Sequence, residues 1–212
     1  MSDDVYVLET GHSAEMQRLK RLTSPVSHHP DFWDFASNSN TVDAVADVIG
    51  PNVRFYHSKL NYKWAGGGQS FDWHQDIQAW PHTNYSPVTV GVLLEDTTLN
   101  QGPLTAIKGE SHKGKLYDLY DESDNFVIRI EQDELDWVTE EMKEYMTGPA
   151  GTVFLLNCRT IHGSTENHSD RSRPVLLNVC SATDAFPYAV NPIPSPFDGA
   201  IVCGEAAPLV TS

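Results

Sequence analysis

The sequence predicts a mainly β chain with flanking helices, folded as a sandwich or jelly roll. Three observations carry that prediction. Short runs rich in Val, Leu, Ile and aromatic residues recur from residue 53 onward, separated by clusters of Gly, Pro, Asn and Asp. Few stretches carry helical periodicity. The alternation of strand and helix that marks a nucleotide-binding sheet is missing.

Taken in order, residues 1–50 read as a helical support. Val42, Val45, Ala46 and Ile49 recur at i, i+3, i+4 and i+7 and share one face; Asn40 or Thr41 caps the helix and Gly50-Pro51 stops it. The β core spans 53–182, with strands expected at 53–60, 88–94, 104–107, 152–156 and 175–179. Turn clusters such as Ala65-Gly66-Gly67-Gly68 and Leu99-Asn100-Gln101-Gly102-Pro103 divide them. One acidic helix is expected over 131–144, where Leu135, Val138, Met142 and Tyr145 are spaced by 3, 4 and 3 and Gly148-Pro149 closes the segment. Its carboxylates read as a solvated face. Residues 185–212 are Pro-rich and read as an irregular tail. No repeat or low-complexity linker divides the chain, so 1–212 is expected to be one domain.

Charge narrows the partners. The 212 residues hold 14 Lys and Arg against 29 Asp and Glu, a formal net charge of −15. Such a surface repels phosphate backbones and anionic lipid heads, which argues against nucleic acid or a membrane as partner and leaves a small molecule. Cys158, Cys180 and Cys203 are too few and too scattered for a disulfide framework or a CxxC site, and read as small buried hydrophobes. The acidic start, Met1-Ser2-Asp3-Asp4, lacks the basic and apolar run of a secretory signal, and no stretch approaches the roughly 18–20 apolar residues of a membrane span. A cytoplasmic location is expected. Oligomeric state is not legible.

The chemistry concentrates in Phe71-Asp72-Trp73-His74-Gln75-Asp76. On a strand, residues i and i+2 share a face about 6–7 Å apart, so His74 and Asp76 can offer a nitrogen and an oxygen to one cation. A third ligand must come from elsewhere, and His162, carried by the run Thr152 to Leu156 and followed by Gly163-Ser164, is the candidate. Two histidines and one carboxylate leave positions open on the metal, the arrangement of non-haem Fe(II) oxygenases. Eleven residues past His162 stands Arg173, whose planar fork at a strand start suits pairing with a carboxylate inside the barrel.

Together, the HxD pair, the distal His-Gly-Ser and the Arg eleven residues later resemble the phytanoyl-CoA dioxygenase family of Fe(II)/2-oxoglutarate oxygenases. Asn100 to His112 is similar to that family's N-G-P-L…G-S-H segment, with an extra residue before Ser111. The likeness runs from about Val53 to Val179 and implies a double-stranded β-helix of the cupin kind. It implies His74, Asp76 and His162 as iron ligands, 2-oxoglutarate and O2 as cosubstrates, and Arg173 as partner of the 2-oxoglutarate 5-carboxylate. Ser164, His57 and Lys59 occupy positions that often touch cosubstrate or substrate in relatives, with a packed strand residue as the alternative for His57. Asp76 favours oxygenation, because halogenating relatives need a small residue there. Trp73 to Trp80 is similar to the W-H-S-D-x-E-T-W signature of ectoine hydroxylases, but Gln78 and Ala79 replace its Glu and Thr, and ectoine is not inferred.

Trp80 is expected to wall the substrate pocket, being so near the ligands; Arg54, Lys59 and Arg159 are candidate anchors for an anionic substrate, with solvent-facing charge as the alternative for each. Gly109 to Lys115 spells GxxxxGK, but Leu116 follows where a P-loop needs Ser or Thr. His12, His28, His29, His82 and His168 lack ligand spacing. The expected function is hydroxylation of an unactivated C–H of a small organic substrate, with succinate and CO2 released. Desaturation or cyclisation by the same cofactor, or a non-catalytic metal-stabilised β-helix that only binds, are the alternatives.

Overall fold

The computed structural model of the chain describes residues 5–109, 114–118, 125 and 127–209. Strands β1 (Tyr6–Leu8) and β2 (Leu19–Thr23) open it, followed by helices α1 (Pro30–Asn38) and α2 (Asn40–Ile49). Next come β3 (Val53–Lys63), β4 (Phe71–His74), β5 (Val88–Leu93), β6 (Leu104–Ile107), β7 (Lys143–Tyr145), β8 (Val153–Asn157), β9 (His162–Ser164), β10 (Arg173–Ala182) and β11 (Ile201–Cys203). They form two sheets. The larger runs β1-β2-β3-β10-β5-β8 with β11 added beside β3, and the smaller runs β4-β9-β6-β7. The expected jelly roll is present, with the two sheets facing each other across a cavity. No helix among the described residues is long and apolar enough to cross a membrane.

The outer face of the larger sheet is sealed by the helices. Pro30 sits at the first turn of α1, where its missing N–H is harmless, and Ser39 caps α2 by accepting from the Thr41 N–H. Val45 and Ala36 pack with Val53, Phe55, Leu60, Val88, Val90, Val92, Leu176 and Cys180 in the main core. Phe55 is fully buried and meets Trp33 edge-on at 5.3 Å between ring centroids. Truncating a side chain buried this way typically costs about 3–5 kcal/mol.

One irregularity decides which face of β3 meets the cavity. Val179 on β10 pairs with His57 and Cys180 pairs with Phe55, so Tyr56 is an extra, bulged residue. A bulge reverses the in-out alternation of a strand. Val53 and Phe55 before it and Leu60 after it all reach the helix-side core, while Lys59, Asn61 and Lys63 turn to the cavity.

Three expectations need correction. Residues before 50 are not helical throughout, because Tyr6–Leu8 and Leu19–Thr23 are strands that extend the large sheet through Leu22↔Leu60. The acidic helix over 131–144 does not form: the segment makes two 3-10 turns, Gln132–Leu135 and Glu140–Met142, then pairs as β7 with β6. Its apolar residues scatter accordingly, with Leu135 buried beside Ile107 and Ile161 and Met142 exposed. The free edge of β6 offers these residues a sheet ladder, and that pairing overrides the helical spacing. The Pro-rich tail is ordered in part, since β11 pairs with β3 and Phe197 stacks on Trp33 at 3.9 Å.

Candidate active site

The two histidines meet because β4 and β9 are antiparallel neighbours with His74 directly opposite His162. Cross-strand pairs lie about 4.5–5.5 Å apart at Cβ, and the rings are 4.2 Å apart at their centroids. Asp76 arrives differently from the expectation. Strand β4 ends at His74, and Asp76 opens a 3-10 turn, so the two side chains do not share a strand face. The turn is held by the Ala79 N–H donating to the Asp76 carbonyl at 2.9 Å and the Ile77 N–H donating to the Cys158 carbonyl at 3.0 Å. It carries the Asp76 carboxylate to 3.7 Å from His74 Nε2 and 3.8 Å from His162 Nε2. Among the described residues this is the group of His, Cys, Asp or Glu able to hold a metal, with its ligand atoms all within 4.8 Å of one another.

The hydrogen bonds behind the triad fit it to a metal. His74 Nδ1 lies 2.7 Å from the Asp72 carbonyl and His162 Nδ1 lies 2.9 Å from the Thr160 carbonyl. A carbonyl only accepts, so each Nδ1 carries the proton and each Nε2 keeps its lone pair toward the shared point. Burial, with the neighbouring His162 adding to it, lowers the His74 pKa to about 4, so its imidazole is neutral as a ligand must be. Thr89 on β5 donates from Oγ1 to Asp76 Oδ2 at 3.3 Å, leaving Oδ1 to face the histidines. Two nitrogens and one carboxylate oxygen, gathered on one side of a cavity, are the donor set of a non-haem Fe(II) site.

That cavity measures about 180 Å³. Trp80, Phe71, Leu156, Val175 and Leu177 supply apolar walls, and Arg21, Lys59, Lys63 and Arg173 line it with charge. Arg173 starts β10 directly opposite Lys63 on β3. Its Nη2 donates to the Gly102 carbonyl at 3.0 Å, whereas its buried Nε has no partner. Burial lowers its pKa to about 10, so it stays charged at neutral pH. Lys63 donates to the Thr165 carbonyl, and burial together with the Arg173 charge lowers its pKa to about 7. Gly102 must be glycine. Its φ is +61°, and a Cβ there would lie 2.4 Å from the Thr165 carbonyl oxygen. The Asn100 to Leu104 segment thus serves to clamp Arg173, with Gln101 Nε2 also donating to the Ser172 carbonyl at 3.2 Å.

The remaining sequence candidates separate. Ser164, Lys59 and Trp80 line the cavity, with the Lys59 ammonium 4.8 Å from the Trp80 ring centroid. His57 is fully buried behind Trp80, edge-on at 4.8 Å between centroids, and is absent from the cavity wall. Burial pushes its pKa well below the usual histidine value. Arg159 is likewise absent from the wall; it packs over Tyr85 at 4.5 Å, and its carbonyl accepts from Gln75 Nε2 at 2.8 Å, bracing the Asp76 turn. Arg54 packs over Phe186 at 4.2 Å, away from the cavity. His112 lies outside the described residues. Sequence reasoning missed Arg21, Asn61, Lys63 and Thr89. The spacing Lys59, Asn61, Lys63 was a readable signal, since polar residues at i, i+2 and i+4 share one face of a strand.

Residues 3–175 match the family model described as phytanoyl-CoA dioxygenase (PhyH). A Stutzerimonas stutzeri protein described as a probable alpha-ketoglutarate-dependent hypophosphite dioxygenase is 34% identical over 187 residues, 87% of this chain and 65% of that protein. The L-proline trans-4-hydroxylase of Streptomyces griseoviridis is 28% identical over 186 residues, covering 80% of this chain and 68% of the relative. The chain therefore spans about two thirds of the length of these curated relatives. The crystal structure of EctD from S. alaskensis with bound Fe superposes with a TM-score of 0.75 at 23% identity, over 99% of this chain and 74% of that one, and shares the fold.

Proposed function

The chain belongs to the phytanoyl-CoA dioxygenase family, and on that premise we propose that it is an Fe(II)- and 2-oxoglutarate-dependent oxygenase. It hydroxylates an unactivated C–H bond of a small organic substrate, with succinate and CO2 as co-products. The observation that carries this reading is Arg173, a buried cation with an unsatisfied Nε on the wall of the same cavity as the His74, Asp76 and His162 cluster. A metal-binding module without turnover has no use for it. Burying a charge costs several kcal/mol unless something pairs with it, and a dicarboxylate cosubstrate supplies the partner.

Each residue then has a task. His74, Asp76 and His162 hold the metal, which when bound supplies O2 activation coupled to oxidative decarboxylation of 2-oxoglutarate. Arg173 takes the 5-carboxylate through its planar fork, with Lys63 beside it and Ser164 on the adjoining wall. Thr89 orients the Asp76 carboxylate through Oδ2. Trp80, Phe71, Leu156 and Leu177 exclude water from the reacting region, so that the oxidising equivalent reaches substrate rather than solvent. The likeness to an alpha-ketoglutarate-dependent hypophosphite dioxygenase supports the cosubstrate, and the likeness to an L-proline trans-4-hydroxylase supports hydroxylation, while those two differ widely in substrate.

Anaerobic titration of the Fe(II)-loaded protein with 2-oxoglutarate tests the reading. A weak visible metal-to-ligand charge-transfer band should develop, and Arg173→Leu should need at least tenfold more cosubstrate to reach it. No band with millimolar 2-oxoglutarate points to the binding module. Mass spectrometry of the product separates hydroxylation, a gain of one oxygen, from desaturation or ring closure, a loss of two hydrogens.

A further inference from the structure

The cavity holds more positive charge than the cosubstrate needs. Four cations line it, Arg21, Lys59, Lys63 and Arg173, against a single carboxylate, Asp76, which faces the two histidines. Among the described residues none of the four has a carboxylate within ion-pair distance. A divalent metal with Asp76 carries +1; adding the 2-oxoglutarate dianion and Arg173 brings the sum to zero. Lys59, Arg21 and the protonated part of Lys63 remain. Uncompensated charge of one sign in a largely apolar cavity is costly, so a second anion is wanted there.

The cations are also divided in space. Lys63 and Arg173 are register partners at one end of β3 and β10. Lys59 lies four residues back along β3, roughly 13 Å away at Cα for an extended strand, opposite Leu177 and above Trp80. Arg21 on β2 stands opposite Asn61, its Nε donating to the neutral Asn61 Oδ1 at 3.1 Å, and its charge bears on the Lys59 ammonium, whose pKa it helps to lower. One dicarboxylate reaching from the metal to Arg173 leaves the Lys59 ammonium over the indole face of Trp80. The cavity of about 180 Å³ is below the usual 300 Å³ lower bound for ligand pockets, which restricts the second ligand to a few heavy atoms beside the cosubstrate.

We propose that the substrate of this enzyme is a small oxyanion, a short carboxylate or phosphonate, whose charged group is held by Lys59 and Arg21 while its carbon end rests on Trp80 and Leu177. This rests on the oxygenase reading above and adds the substrate class to it. Lys59 is thereby a substrate-binding residue rather than a cosubstrate ligand, and the burial that lowers its pKa to about 8 still leaves it charged at neutral pH.

The test is calorimetric titration of the anaerobic Fe(II) protein, saturated with 2-oxoglutarate, by methylphosphonate, propionate and neutral propionamide. At least one anion should bind ten or more times tighter than propionamide, and which anion wins distinguishes the tetrahedral from the planar oxyanion. Lys59→Met should weaken that anion at least tenfold while changing the 2-oxoglutarate dissociation constant less than twofold; Lys59→Arg should retain most of the affinity, which controls for folding. Arg21→Met should weaken the anion in the same selective way. Equal binding of propionamide, no binding of either anion, or parallel loss of anion and 2-oxoglutarate in Lys59→Met would each overturn the assignment. If wild-type protein fails to bind 2-oxoglutarate at all, it is the oxygenase reading that falls.

Discussion

Lys63 is a buried residue through which the proposed cosubstrate site would respond to pH. Its pKa is lowered to about 7, while in the unfolded chain it titrates near 10.5. Between those values the unfolded chain keeps a proton that the folded chain has released, so stability rises with pH through that window; below pH 7 both states are protonated and the whole cost of the buried ammonium remains. In the proposed arrangement cosubstrate binding runs the other way, because only protonated Lys63 would join Arg173 in attracting the 5-carboxylate. The 2-oxoglutarate dissociation constant should therefore rise by several-fold from about pH 6 to pH 9, and Lys63→Met should flatten the profile. The same substitution should make the melting temperature less dependent on pH over that range. A pH-independent dissociation constant in the wild type would remove Lys63 from the cosubstrate site.

At the scale of elements, the site depends on two pieces of strand geometry. The Tyr56 bulge aims Lys59, Asn61 and Lys63 into the cavity while keeping Val53, Phe55 and Leu60 in one core. The close approach of β4 and β9 sets the histidine pair, and Gly163 permits it: a Cβ there would sit 2.9 Å from the Phe71 carbonyl oxygen and 3.3 Å from the Asp72 carbonyl carbon. Gly163→Ala must push β4 outward and carry His74 with it. Metal affinity measured by Mn(II) titration should fall at least tenfold, with a melting temperature several degrees lower. Unchanged affinity would mean that the sheet relaxes elsewhere. Much of this level was legible beforehand. The expected strands over 53–60, 88–94, 104–107, 152–156 and 175–179 all exist, the third with the expected bounds and the others lengthened, shortened or shifted by one to a few residues. The acidic segment departs from the expected helix because its 3-4-3 spacing is also compatible with two short turns, and only the unpaired edge of β6 selects the strand.

For the whole molecule, the triad ties the two sheets together. His74 and His162 belong to the smaller sheet, while Asp76 is held to the larger one through Thr89 on β5. A metal bound there adds a link across the cavity that the unfolded chain lacks. At a free metal concentration about one hundredfold above its dissociation constant the folded state gains about 2.7 kcal/mol, which for a chain of this size raises the melting temperature by roughly 5–10 °C. Thermal melts in EDTA and in anaerobic Fe(II) should show that gap, and Asp76→Ala should abolish it. Identical melting points with and without metal would deny the triad its structural part.

What the sequence by itself determined was the chemistry on offer: the donor types in His74, Asp76 and His162, the guanidinium of Arg173, and the short alternating runs that make a β-rich fold. These are local properties, carried by residue identity and by periods of two or three to four residues. Only the tertiary structure decided that His74 stands opposite His162, that Asp76 reaches them from a turn, that Arg159 braces that turn from outside the cavity, and that Arg21, Lys59 and Lys63 share a chamber with Arg173. Those outcomes depend on strand pairings between residues tens of positions apart and on one bulged residue. Neither leaves a periodic trace along the chain, because register is settled by which faces can be buried together once both sheets have formed.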